Sequence, residues 1–549
     1  MNFIKVLLSV VFCCITPFVW AQNPAPKGTA KGENRVELVK TDSLEGGKFK
    51  GVEIRKLLGN VVLRQNDTFL YCDSAYQYAD RNVLEAFSNV RITQGDTLTI
   101  TGNTASYDGN KRLAQIRGDV FMQDPKMTLT TPSLDYDLDK KQAYYTEGGT
   151  IVEGVNHLES KIGTYNSNGK MFVFQQQVKL TTPDNVISST NLQYNTESKI
   201  AYFQGPTTIK GPQGDLYAES GEHNTFTKVS TFRKNAAVET PSYRLTGDLI
   251  HYDENKQYGS ARHNVRMVSK KDDVVITGET AQYWRGKSLA KVYGSPVMRN
   301  ILSGDTLYLA ADTLISQEAN AQNAKRMIYA YHGVKIFKSD LQGKCDSLTY
   351  NLSDSVIYLN RAPALWSNNS QLVAERIEMH LRNNKLSRMY MYSNAFMISE
   401  DSLKNFNQIK GRDMVAQFAD NKIRRLTVNG NGESAYYALA DGDSTVMGLN
   451  KTLCSDMVLK FSEENKLETI AFLTNVDANF IPPHELKEEE KQLKGFAWLL
   501  SEKPELKDVL ARRGKPAPVT QPAKKAPPAP PGKKKAPKAS PKQKPVAQK

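Results

Sequence analysis

The sequence is short of the residues that mark most chemistries. Five cysteines occur in 549 residues, Cys13, Cys14, Cys72, Cys345 and Cys454, with no CxxC pair. That excludes a disulfide-stapled scaffold and a zinc knuckle. Two lie in the N-terminal apolar stretch. The other three read either as small buried hydrophobes or as one long-range bridge with a free thiol. The seven histidines (His157, His223, His251, His263, His332, His380 and His484) show no HExxH or His-x-His spacing. No metal and no other cofactor is therefore called for. GxSxG, P-loop and Rossmann fingerprints are missing too. Asp and Glu crowd into turn-like clusters, where local hydrogen bonding accounts for the aspartates. The chain does not read as an enzyme.

Acidic residues are missing from Gly514–Lys549, which holds ten lysines. Most of the formal charge of +14 belongs to this Pro/Ala/Lys segment, and the rest is nearly balanced. Such a composition cannot offset its ordering entropy, so residues 514–549 are expected to form a disordered tail. It is either a solvated spacer or a contact to anionic envelope surfaces; nucleic acid is not indicated. Long apolar runs are confined to Val6–Trp20, preceded by Lys5, with Val19 and Ala21 at its end as compact cleavage-site residues. Residues 1–21 thus read as a cleavable signal peptide, with a linker over 22–45 and a periplasmic destination that includes outer-membrane association.

Helical periodicity is missing between Val61 and Val476. A tandem repeat of about 29 residues takes its place. Tyr78, Tyr107, Tyr136, Tyr165, Tyr194, His223 and Tyr252 follow one another at that interval, and looser equivalents continue at Tyr283, Tyr350, His380, Phe418 and Phe461. His223 and His380 stand where the ladder has tyrosine. After each aromatic comes a polar cluster such as Asp108-Gly109-Asn110-Lys111, which supplies a turn. A short alternating run then leads to Gly59-Asn60-Val61, Ser88-Asn89-Val90, Gly118-Asp119-Val120 or a relative, which reads as a second turn. Alternation rich in Val, Ile, Thr and Tyr follows, as in Val90-Arg91-Ile92-Thr93. Each unit is predicted to hold two or three strands of about 5–9 residues, each with one dry face. No unit buries that face alone, so stacked units share one interior. The reading is all-β, with one regular repeat region over 46–299 and a second, decorated one over 300–480. Glu485–Arg513 suits one or two short amphipathic helices broken near Pro504, within a helical segment over 481–513.

These features resemble the OstA-like family. The resemblance rests on the tandem units, the Gly-Asn-Val element leading into Val-x-Ile, and the distal Ala-x-Tyr in Thr104-Ala105-Ser106-Tyr107 and Glu279-Thr280-Ala281-Gln282-Tyr283. That family includes LptA and the N-terminal domain of LptD. His332-Gly333-Val334, Cys345-Asp346-Ser347-Leu348 and Pro363-Ala364-Leu365-Trp366 look like its longer, Bacteroidetes-type members. The resemblance spans about Gly46–Asn475. It implies an elongated twisted β-jellyroll with a hydrophobic groove for the lipid A acyl chains of lipopolysaccharide. It also implies β-strand edge pairing with lipopolysaccharide transport proteins of the inner and outer membranes, or self-association end to end. Groove candidates are Val90, Ile92, Val120, Met122, Val178, Leu180, Val265, Met267, Val334 and Ile336; the plainer reading of each is ordinary core. No lipid-facing barrel strands follow Phe480, so an outer-membrane translocon is not expected. The expected function is lipopolysaccharide binding and bridging in outer-membrane assembly. The alternatives are a structural or adhesive envelope repeat without lipid, and a polysaccharide-active β-solenoid enzyme.

Overall fold

A computed structural model describes residues 35–511, apart from positions 50, 213, 303, 323, 421, 441–444 and 465–466. The expected signal peptide and basic tail lie outside the described residues. Contacts divide the chain into two compact units, one of residues 1–275 with 280–290 and one of 276–279 with 291–549.

The first unit is an antiparallel meander in which each long strand pairs with the next. Val52–Gln65, Thr68–Tyr78, Val83–Gln94, Leu98–Asp108, Leu113–Gln123 and Thr128–Asp137 run in this order. The repeat therefore holds two long strands, where the sequence suggested two or three short ones. The difference lies at the Gly-Asn-Val element, which is no turn. Ser88 (φ 61°) and Asn89 (φ 51°) sit inside the single strand Val83–Gln94, and the register slips there between Phe87 and Val90. Two residues oppose one, which is a β-bulge: it bends a strand without ending it. Positive φ recurs in the same phase at Gly59-Asn60, Gly118-Asp119, Gln176-Gln177, Lys234-Asn235 and His263-Asn264. Asn, Asp and Gly tolerate this conformation, so turn-like sequence and mid-strand position are compatible. At Gly148 (φ 102°) the strand does break, giving separate Gln142–Tyr145 and Gly149–Glu153.

Side chains on both sides of the bulge are buried. Leu84 and Ala86 precede it, Val90 and Ile92 follow it, and all four belong to the core. The far ends of the strands also meet. Gln65, at the end of one arm, accepts the hydroxyl hydrogen bond of Tyr107 from the other, and its amide donates to Gly109 O at 2.9 Å. Such contacts need a sheet folded along the line of bulges into two facing layers with a dry interior. The tyrosine ladder lines that interior: Tyr107, Tyr136, Tyr165, Tyr194, His223 and Tyr252 are all buried.

In the second unit, Met327–Lys338, Leu341–Asn351, Lys385–Glu400, Phe406–Ala419, Lys422–Leu439 and Val446–Phe461 repeat the plan, with bulges at His332-Gly333, Ser393-Asn394 and Gly430-Asn431. Its last strands, Leu467–Leu473 and Asp477–Ile481, both pair with Val446–Phe461.

Residues 482–511 form a strap with little helix. Two 3-10 turns, Glu488–Glu490 and Leu500–Glu502, precede one helical turn, Leu506–Leu510. The stretch read as amphipathic helix is held extended because its backbone is bonded from outside. Gln408 donates to Lys491 O (2.7 Å) and accepts from Leu493 N (2.8 Å), while Gln371 donates to Ala497 O (2.8 Å) and accepts from Leu499 N (2.7 Å). Apolar packing completes the seat, with Phe496 and Trp498 against Phe406 at 5.4 and 5.1 Å between ring centres. Pro504 precedes the final helical turn, whose Glu505 and Asp508 form a capping box.

Candidate functional site

The ten groove candidates lie on the arms that follow the bulges, facing the interior. Val90, Ile92, Val120, Met122, Val178, Leu180 and Val265 are at most 2% exposed, and Val334 and Ile336 are buried in the second unit. Met267 is only half-buried, near the end of its strand Tyr243-paired Tyr258–Ser269. Cross-strand pairs unite some of them, as Ile92 and Met122 both face Ile100. In the first unit these side chains pack against one another, and the layers are drawn together along their open margin.

That margin is latched by polar contacts between the arms. Tyr165 donates to Asp124 at 2.9 Å, Tyr194 to Glu153 at 2.9 Å, and Lys199 pairs with the same buried Glu153 at 2.7 Å. Arg112 lies between Asp67 (3.4 Å) and Asp139 (2.9 Å). Burial pushes the Tyr107 phenol up to about 12, and raises Tyr165 and Tyr194 as well, so these groups stay neutral donors at any physiological pH. A buried acid facing a neutral donor and a cation is satisfied, and it closes the margin without a covalent tie.

The second unit differs. Where its two layers end, an apolar hollow of about 70 Å³ remains. Leu307, Leu341 and Leu372 come from one side, and Met379, Leu386, Met389, Phe418 and Ile423 from the other. Lys338 stands at its rim, paired with Asp340 (2.6 Å) and Asp305 (3.3 Å). The Ser339 hydroxyl, with help from Lys338, holds the Asp305 carboxyl below its usual range. A second hollow of about 560 Å³ lies beneath the strap, between Gly495, Ala497 and Leu499 above and Ala364, Val373, Phe396 and Ile398 below.

The sequence reading missed all of these lining residues except by class. They sit at alternate positions in strands, as Met379 and Leu381 do in Met379-His380-Leu381. That pattern marks them as inward-facing, but which inward positions stay uncovered depends on how far the layers part.

The three cysteines outside the N-terminal stretch are free and buried. Burial pushes the Cys72 thiol up to about 11 and the Cys345 thiol to about 12, which makes them inert packing groups.

Residues 33–190 and 184–248, both inside the first unit, match the family described as OstA-like protein. This part of the chain is OstA-like. The OstA-like region contains the most regular repeats and the latched margin. Among solved structures, the chain is similar to the crystal structure of LptH, described as the LptA homologous periplasmic component of the conserved lipopolysaccharide transport device from Pseudomonas aeruginosa. The identity is 17%, over 19% of this chain and 79% of that one, with a TM-score of 0.18. No curated protein matches the chain.

Proposed function

We propose that this chain is a periplasmic lipopolysaccharide-binding and bridging protein of outer-membrane assembly, acting without chemistry of its own. The observation that carries the reading is the pairing of an OstA-like region with a folded sheet whose interior is mostly apolar. A multi-acylated lipid cannot cross water unshielded, since each exposed methylene costs about 0.8 kcal/mol. Two facing layers with dry inner surfaces supply the shield. The hollow at the margin of the second unit is where hydrocarbon enters with least rearrangement; in the first unit the latches must part. Transport proteins of the two membranes would join by strand addition. Leu473, Val476 and Phe480 are exposed on the last strands of the second unit and in their connection, an edge suited to such pairing.

A second reading, a structural or adhesive envelope repeat with no lipid, is favoured by one observation. All groove candidates but Met267 are buried by neighbouring side chains. The two readings separate in a binding experiment on the purified full chain with lipopolysaccharide. Under the lipid reading, Leu386→Glu and Phe418→Glu, which place a charge at the hollow, abolish binding, while Thr427→Glu on the outer face does not. Binding that survives both hollow variants, or no binding by the unaltered chain, favours the structural reading.

A further inference from the structure

The outer face of the second unit carries an ordered track that core packing does not require. Across five neighbouring strands the register aligns Tyr329, Thr349, Tyr358, Glu378 and Tyr390 in one row. Their chain neighbours Ile328, Leu348, Ile357, Ile377 and Met389 are buried, so the row points away from the interior. The three tyrosines recur at every second strand, about 10 Å apart. That interval is close to the disaccharide repeat of an extended glycan. Tyr331 widens the platform, stacked beside Tyr329 at 6.3 Å, while Tyr392, beside Tyr390 at 6.2 Å, is already covered by the Arg376 guanidinium at 4.4 Å.

At Tyr390 the aromatic row meets a basic one. His380, Arg388, Gln417, Arg425 and Lys460 are aligned across the following strands. Arg388 reaches the Tyr390 hydroxyl at 3.1 Å, which joins the two rows. Arg425 and Lys460 are exposed, directly opposite each other, and among the described residues neither makes an ion pair. Like charges so placed work against the sheet, and a bound anion removes the conflict.

We propose that this track binds an extended acidic polysaccharide. Its pyranose rings lie over Tyr329, Tyr358 and Tyr390, and its carboxylates meet Arg388, Arg425 and Lys460. The two-strand spacing of the tyrosines, matched to a disaccharide repeat, favours a glycan over a single-stranded nucleic acid. Glu378, in the middle of the aromatic row and bonded by His380 (2.6 Å) and Tyr392 (3.4 Å), repels any anion laid over it, so the carboxylates of the glycan turn to the basic row and its hydroxyls to Glu378. Only outer-face side chains take part, so binding there is independent of what enters the interior.

The test is calorimetric titration of the full chain with an octamer of galacturonate, alongside a neutral cello-oligosaccharide and an oligothymidylate. The acidic octamer is expected to bind more tightly than the neutral one, with an affinity that falls as salt rises. Tyr358→Thr and Tyr329→Thr keep the charge and a strand-forming residue, and each is expected to weaken binding about tenfold. Arg425→Gln with Lys460→Gln weakens it and flattens the salt dependence. Thermal melting of every variant verifies the fold. No binding of the octamer overturns the proposal. So does binding indifferent to both tyrosine variants, the signature of attraction to the lysines of 514–549. Tighter binding of the oligothymidylate, lost in the same variants, overturns it in favour of nucleic acid.

Discussion

Gln408 and Gln371 grip the C-terminal strap in the same way, each side-chain amide bonding a carbonyl and the N–H two residues further on. That is the pattern a residue of a parallel neighbouring strand makes with its backbone. Both glutamines are completely buried. Gln408→Met keeps the volume and leaves Lys491 O and Leu493 N without partners, at a cost of about 1–3 kcal/mol. Hydrogen exchange is expected to rise first at residues 491–499, before the sheets exchange. Uniform exchange across the second unit would show that the strap is not a separate layer.

Tyr145 lies flat between two glycines. A Cβ on Gly163 would stand 2.3 Å from its ring, and one on Gly149 2.6 Å. The ring is buried and its hydroxyl bonds the Ser160 hydroxyl at 2.8 Å. Gly163→Ala is therefore expected to destabilise the first unit by about 1–3 kcal/mol through overpacking. Adding Tyr145→Leu should return part of that loss. Denaturant unfolding of the single and double variants measures the coupling.

His223 replaces tyrosine in the ladder and carries a pH dependence the tyrosines lack. It is buried, bonded to the Ser230 hydroxyl at 2.8 Å, and burial lowers its pKa from 6.5 to about 4. Above pH 6.5 the ring is neutral in both folded and unfolded chains and has no effect. As pH falls from 6.5 towards 4, the unfolded chain takes up a proton that the folded one refuses, so stability is lost in that window. The loss is on the order of 3 kcal/mol over the window. His223→Tyr is expected to flatten the melting temperature between pH 6.5 and 4. An unchanged pH profile would mean that the imidazole is not neutral in the fold.

The latches should govern access to the first unit. Tyr165→Phe with Tyr194→Phe removes one donor each from Asp124 and buried Glu153, at about 1–2 kcal/mol apiece. The interior is then expected to take up a hydrophobic fluorescent probe faster than the unaltered chain does. Equal uptake rates would place entry elsewhere, at the hollow of the second unit.

Much of this fold was legible in the sequence because a repeat multiplies weak signals. The tyrosine ladder gave the period, and alternation gave the buried side of nearly every strand. The bulges were misread as turns, since Asn, Asp and Gly at positive φ look alike in either setting. Only the register across Phe87 and Val90 tells them apart. The latches were invisible for a different reason. Tyr194 and Glu153 are 41 residues apart, and nothing local predicts which turn meets which ladder tyrosine. The strap does end in one helical turn after Pro504, but its larger part, 485–503, was mistaken for helix because its apolar residues suit that period; the two buried glutamines that hold it extended read as ordinary polar strand residues.

Entry of acyl chains into the dry interior is tested most directly by photo-crosslinking in cells. A photoreactive residue at Met379 or Leu386, lining the hollow, is expected to form an adduct with lipopolysaccharide, while the same residue at outward-facing Thr427 is not. Adducts at Thr427 alone, or none from the interior positions of a folded and exported chain, would contradict the account.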